Sequence, residues 1–156
     1  MKGLALRIFL LGGAVSAAHA QTPPAPQRPG LQLEVLPDTL AICRLPADAP
    51  VPPWVAAADR FATVSRTKDE LSITAVQSAV PADVRCERDY RALRVRGPLP
   101  LNLIGVLASI AGPLADAGIS IFAISTFDTD YVLVKGVDLE KAIATLTRAG
   151  HHVTRL

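Results

Sequence analysis

Ser125, Thr126, Asp128, Thr129 and Asp130 crowd one short stretch of the carboxy-terminal half. Hydroxyls both donate and accept hydrogen bonds, and ionised carboxylates accept them. A carboxylate at Asp130 can pair with an α-ammonium or a basic side chain through a charge-assisted bond. It is equally well read as a turn residue, since Asp is common in tight turns. Apolar runs bracket the cluster: Ile119 to Thr126 before it and Tyr131 to Val134 after it. The pattern predicts two strands joined by a tight turn, with the polar groups where the strands end. Such a tip beside a buried sheet suits a small polar ligand better than a macromolecule.

A second group lies upstream. The loop GPLPLN, residues 97–102, precedes a run in which Leu103, Leu107, Ile110 and Leu114 recur at helical spacing. Amide N–H groups at a helix start lack intrahelical acceptors and suit an anion such as an α-carboxylate. Asn102 has two readings, a ligand contact or a plain N-cap. The four recurring apolar residues read as core rather than as a cofactor groove.

These groups are positioned by a β-α-β-β-α-β pattern. Arg91 to Arg96 alternate around Leu93 and Val95 as a strand, and Gly118 is placed to end the first helix in a left-handed cap. Asp138 is placed to cap a second helix carrying Leu139, Ile143 and Leu146 on one face, with Gly150 as its stop. His151 to Arg155 supplies a last strand. Two helices on one face of a four-stranded antiparallel sheet is the ferredoxin-like arrangement, an α+β fold. Residues 61–76 echo 121–136 at an offset of 60, with Ser65 on Ser125 and Glu70 on Asp130. Upstream of them, Leu40 to Leu45 reads as a strand and Pro53 to Ala58 as a short helix started by proline. The expected organisation is therefore an abbreviated unit over 33–90 and a fuller one over 91–156, packed as a pseudo-symmetric pair. In 119–126, Ile119, Ile121 and Ala123 lie on one side, and Phe122 and Ile124 on the other. A strand apolar on both faces has its second face covered, by the other unit or by a second chain.

The amino terminus reads as an export signal. Lys2 and Arg7 are basic, Ile8 to Ala17 is a short apolar run, and Ala18-His19-Ala20 is a small-x-small cleavage pattern. The run is short of the roughly 20 residues that span a bilayer. Residues 21–32 are Pro-rich and read as an extended linker. Without residues 1–20, Lys plus Arg falls from 16 to 14 and equals the 14 Asp plus Glu. A neutral chain lacks the electrostatic footprint of a nucleic-acid binder. Export predicts a periplasmic or extracellular protein, and a retained amino terminus a cytoplasmic or anchored one.

No phosphate loop, nucleophile elbow, metal-ligand cluster or ordered Ser-His-Asp set is present in the sequence, so no cofactor or metal is expected. Adjacent His151 and His152 point to opposite faces of a strand and do not grip one metal easily. Cys43 and Cys86 form one disulfide or stay as two buried thiols. Trp54 reads as packing. Asp38, Arg44 and Asp48 flank the first strand without a recognisable pairing.

The segment RALRVRGPLPLNLIGVLASIAGPLADAGISIFAISTFDTDYVLV, residues 91–134, resembles the small tandem-ACT regulatory proteins, the branch of aspartate kinase regulatory domains and the animal cytosolic arginine sensor. The resemblance implies a non-catalytic regulatory module that binds an amino acid where two ACT units meet. Carried over by position, it implicates Leu101, Asn102, Ile104, Ser125, Thr126 and Asp130. It also favours free thiols at Cys43 and Cys86, because the resembling proteins are cytosolic. Ser65, Arg66 and Glu70 depart from the STFDTD pattern, which argues against a second equivalent site. The alternatives are a dimerisation or protein-interaction module without ligand, and a small ferredoxin-like enzyme of the acylphosphatase type recruiting Arg96 and Asn102.

Overall fold

The computed structural model describes residues 30–56 and 60–156. The export and linker expectations on residues 1–29 lie outside them. Seven strands and three α-helices follow in the order β1 (Gln32–Leu45), α1 (Pro53–Ala56), β2 (Ala62–Arg66), β3 (Leu71–Val76), β4 (Cys86–Val95), α2 (Val106–Asp116), β5 (Phe122–Ser125), β6 (Asp130–Lys135), α3 (Leu139–Arg148) and β7 (His152–Arg155). One sheet runs β2-β3-β1-β4-β6-β5, with β7 joined to β1.

β1 serves both halves of the molecule. Its first residues, Gln32 to Val35, pair parallel with β7, whereas Leu40 to Leu45 pair antiparallel with β3; β4 pairs with both parts, Leu33 to Val35 and Thr39 to Cys43. The division falls at Leu36-Pro37-Asp38, where the β1–β4 register shifts between Val35 and Thr39. Proline has no N–H to give a ladder, and Arg91 Nη2 donates to the freed carbonyls of Leu36 (2.9 Å) and Pro37 (3.4 Å). The carboxy-terminal sheet therefore has one strand more than the sequence pattern suggests, because β1 sits between β7 and β4.

Helices α2 and α3 cover one face. Ile110, Leu114 and Leu146 pack there on Leu33, Leu93 and Val132, all essentially inaccessible. A smaller core under α1 holds Cys43, Leu71 and Ile73, with Trp54 packed against it. The helix-free face has its own cluster, in which Phe122, Ile124 and Tyr131 from the carboxy-terminal half meet Leu40 and Phe61 from the amino-terminal half. The Phe61 and Tyr131 rings meet edge to face at 5.0 Å. The doubly apolar strand thus has its second face covered within the chain. The sheet curls so far that edge strands β2 and β5 line a common cavity of about 400 Å³.

Both helix stops behave as their glycines predict. Gly118 (φ 69°) and Gly150 (φ 91°) are left-handed. The N–H groups of Ile119 and His151 return to the carbonyls of Leu114 (2.9 Å) and Leu146 (3.0 Å), the hydrogen-bond pattern of a left-handed cap. Pro113 lies inside α2 and leaves Ser109 O without its usual i+4 donor. Buried His151 supplies one: its Nε2 lies 3.0 Å from Ser109 O, while Nδ1 accepts the Leu31 N–H at 3.2 Å. His152 is exposed.

Three expectations are corrected. Cys43 and Cys86 are directly opposed on β1 and β4 and form a disulfide, not two thiols. Asp138 stands at the N-cap position of α3 but makes no capping bond, because a 3₁₀ turn over Gly136–Asp138 runs straight into the helix. Asp38 and Arg44 do have partners, Arg60 and Glu70.

Candidate functional site

The β5–β6 hairpin tip is fixed by its own hydroxyls. Thr126 N–H and Oγ1 both donate to Thr129 O, at 2.9 and 2.8 Å, and Thr129 N–H returns to Thr126 Oγ1 at 3.3 Å. Ser125 and Asp130 are the last paired residues of the ladder. Ser125 Oγ donates to Asp130 Oδ1 at 2.6 Å. A second oxygen of that carboxylate remains to accept from a ligand.

The loop between β4 and α2 is bound to this tip. Leu99 N–H donates to Asp128 O at 2.7 Å, and Thr129 Oγ1 donates to Val95 O. Gly97 lies so close that a Cβ there would stand 2.7 Å from Asp128 O. Helix α2 then starts at Val106 with Gly105 (φ 82°) at its cap position and no side-chain cap bond.

Loop and tip together enclose an open cavity of about 190 Å³. Leu99, Leu101, Leu103 and Val106 form one wall, and Ser125, Thr126, Asp128, Thr129 and Asp130 the other. The lining holds two carboxylates and no basic side chain. The start of α2, marked by Val106, contributes the positive end of a helix dipole. A carboxylate pair facing a helix start complements a zwitterion. The volume lies below the roughly 300 Å³ at which pockets for drug-sized ligands begin.

Of the six residues singled out by position, Leu101, Ser125, Thr126 and Asp130 line this cavity; Asn102 and Ile104 do not. Asn102 is exposed and is not the helix cap, which falls three residues later at Gly105. Leu103 lies outside the helix, 48% exposed, and belongs to the cavity wall rather than the core. Asp128, named in the polar cluster but not among the six, also lines it; sequence reasoning missed Val106, for which the Pro-Leu-Pro stretch that delays the helix was the available signal. Ile104, Phe127, Leu101 and Leu103 leave an exposed apolar rim beside the opening. Arg96 lines a different cavity and Asn102 lines neither, so the pair recruited for acyl phosphate chemistry does not meet in either of these two. Among the described residues no cluster of His, Cys, Asp and Glu could hold a metal, and no helix is long and apolar enough to cross a membrane.

The register of the two hairpins corrects the internal repeat. In β2–β3, Thr67 N–H donates to Glu70 O at 2.9 Å and Glu70 N–H to Thr67 Oγ1 at 3.2 Å, the bonds made by Thr126 and Thr129. The structural offset is therefore 59 rather than 60, and the ladder ends Arg66↔Leu71 and Ser125↔Asp130 agree with it. One residue of slip exchanges the faces of every side chain. The counterparts of Ser125 and Asp130 are Arg66 and Leu71, not Ser65 and Glu70.

Known proteins share this architecture. Residues 85–148 match the family model of the ACT domain, and residues 38–83 match a model of an amino-terminal domain. The human protein named cytosolic arginine sensor for mTORC1 subunit 1 is 43% identical over 60 residues, which is 38% of this chain and 18% of that one. The chain thus spans a small part of the curated relatives it matches. A crystal structure of a protein from Agrobacterium tumefaciens is 37% identical, with a TM-score of 0.76 over 83% of this chain and 96% of that one. The ligand-free regulatory subunit of aspartate kinase from Thermus thermophilus is similar in fold alone, with a TM-score of 0.51 at 17% identity over 75% of this chain and 96% of that one. A family match running from the foot of β4 to the end of α3, with a relative aligned over almost its whole length, makes this chain a member of the ACT-domain family.

Proposed function

We propose that the chain is a non-catalytic regulatory module that binds an amino acid in the cavity between the β4–α2 loop and the β5–β6 tip. The observation that carries this reading is one pocket holding two carboxylates, the first residue of helix α2 and an apolar wall. The ligand carboxylate sits at the amino terminus of α2, where backbone N–H groups and the helix dipole favour an anion. Its ammonium meets Asp130, with Ser125 and Thr126 beside it and the side chain against Leu101. The named sensor and kinase-subunit relatives support a regulatory role. Asn102 and Ile104 stand at the rim, where a second ACT unit, from another copy of the chain or a partner, closes the site.

Isothermal calorimetry against the standard amino acids tests this. Saturable heat is expected for at least one, with affinity falling about 10- to 100-fold in Asp130→Asn, the range for one charge-assisted hydrogen bond. No heat and no thermal shift for any of them would sink the proposal. The exposed apolar rim favours a second reading, a dimerisation module without ligand. A ligand-independent dimer by light scattering, together with silent calorimetry, would select it.

We also infer export, because the Cys43–Cys86 disulfide belongs in an oxidising compartment and the amino-terminal pattern suits cleavage before Gln21. Mass spectrometry of protein from its native host should find a mature terminus at Gln21 and the disulfide intact. Intact residues 1–20 with reduced cysteines would refute it.

A further inference from the structure

The opposite face of the same hairpin borders a second cavity, of about 560 Å³, on the side of the sheet that carries no helices. Its floor is a cross-strand row: Glu34 on β1, Arg94 on β4 and Tyr131 on β6 are successive partners. The Glu34 side chain is 9% exposed and faces two guanidinium groups. Arg94 Nε donates to Oε2 at 3.1 Å, joined by Nη2 on the same oxygen, and Arg96 Nε lies 3.5 Å from Oε1. The Glu34 bond is the main cause holding the Arg94 pKa above its ordinary value, with Tyr131 adding to it.

The arrangement holds more positive charge than Glu34 requires. Two bonds from Arg94 already serve the buried carboxylate. Arg96 reaches it at a distance beyond a good N–H···O hydrogen bond, with its side chain 68% exposed. A guanidinium carries five N–H donors in a planar fork that matches a carboxylate. Most of those of Arg96 are left for the cavity. Across the opening, Asp128 of the hairpin tip supplies an acceptor that makes no side-chain bond among the described residues.

We propose that this cavity is a second ligand site, which takes a small hydroxycarboxylate, its carboxylate on Arg96 and Arg94 and its hydroxyl donating to Asp128. The site is distinct from the amino-acid cavity, since Arg94 and Arg96 line this one and not that one. The two nevertheless share Thr126, Asp128 and Thr129, so occupation of one bears on the other through the tip.

Calorimetry with L-lactate at low ionic strength, where exposed charges are least screened, is the test. The full chain should bind lactate saturably at one site. Arg96→Gln should weaken it at least about tenfold, the effect of one charge-assisted hydrogen bond, with an unchanged thermal midpoint because Arg96 is an exposed side chain. Arg96→Lys, which keeps the charge and loses the fork, should fall between. Propionate, which lacks the hydroxyl, should bind several-fold more weakly, and Asp130→Asn should leave lactate affinity unchanged. Absence of lactate binding, equal affinity in Arg96→Gln, or phosphate binding as tightly as lactate would each overturn the assignment. None of these results depends on whether the first cavity takes an amino acid.

Discussion

The two hairpins of this chain are built on the same turn and used in opposite ways. Thr67 and Glu70 repeat, bond for bond, the contacts of Thr126 and Thr129. The difference lies one residue before the turn. Arg66 sends its guanidinium to the carbonyls of Ala47 and Ala49 in the loop ahead of α1, and Arg44 adds an ion pair to Glu70 at 3.3 Å. In the carboxy-terminal hairpin the same position is Ser125, which bonds across to Asp130 and leaves a cavity before the loop ahead of α2. One turn thus serves as a clamp where a long basic side chain bridges the gap, and as a receptor where a short hydroxyl leaves the gap open. The clamped half is also the half closed by the Cys43–Cys86 disulfide, which encloses the whole β2–β3 hairpin.

The largest expected effect comes from the contact that holds the open hairpin in place. In Gly97→Ala the new Cβ would meet Asp128 O at 2.7 Å and Thr129 Cβ at 3.3 Å, both in the tip. The tip has to retreat, and the Leu99–Asp128 bond is lost with it. Strain and one hydrogen bond together cost about 2–4 kcal/mol, a fall in Tm of roughly 5–15 °C for a domain of this size. Hydrogen exchange should accelerate at Leu99 and Thr126 while Thr67 and Glu70 stay protected. A Tm within about 1 °C of the parent would show that the tip does not depend on the loop, and the contrast between clamp and receptor would lose its structural basis.

Local pattern made much of this legible and long-range pairing did not. Gly118 and Gly150 could be assigned as helix stops because a left-handed cap is decided by a few neighbouring residues. The strands flanking the Ser-Thr-Asp tip were equally local. The disulfide was not, since Cys43 and Cys86 become opposed only after β1 has divided at Pro37 and paired with both β3 and β4. The insertion of β1 between β4 and β7 escaped for the same reason. Asn102 was a fair cap candidate by residue type, but Pro98 and Pro100 hold the chain in a loop until Gly105. The repeat was seen one residue out of register because residue types at an offset of 60 match well; only the turn bonds select 59.

The reciprocal exchange at that register sharpens the comparison at smaller energetic cost. Arg66→Ser removes the bridge to Ala47 and Ala49, whose carbonyls can turn to water, so the loss should be about 1 kcal/mol and the Tm shift about 2–4 °C. Ser125→Arg does the converse at an exposed position. Its guanidinium has the reach to cross the cavity toward the β4–α2 loop, as Arg66 crosses to the loop ahead of α1, and Asp130 draws it inward. Stability should change by less than about 1 kcal/mol, as for most exposed substitutions. Amino-acid binding, however, should fall beyond detection while lactate binding on the other face persists. If Ser125→Arg keeps full amino-acid affinity, the side chain at this position does not decide between clamp and receptor. The different uses of the two hairpins must then arise from the loops they face, residues 46–52 between β1 and α1 in one half and the longer 96–105 between β4 and α2 in the other.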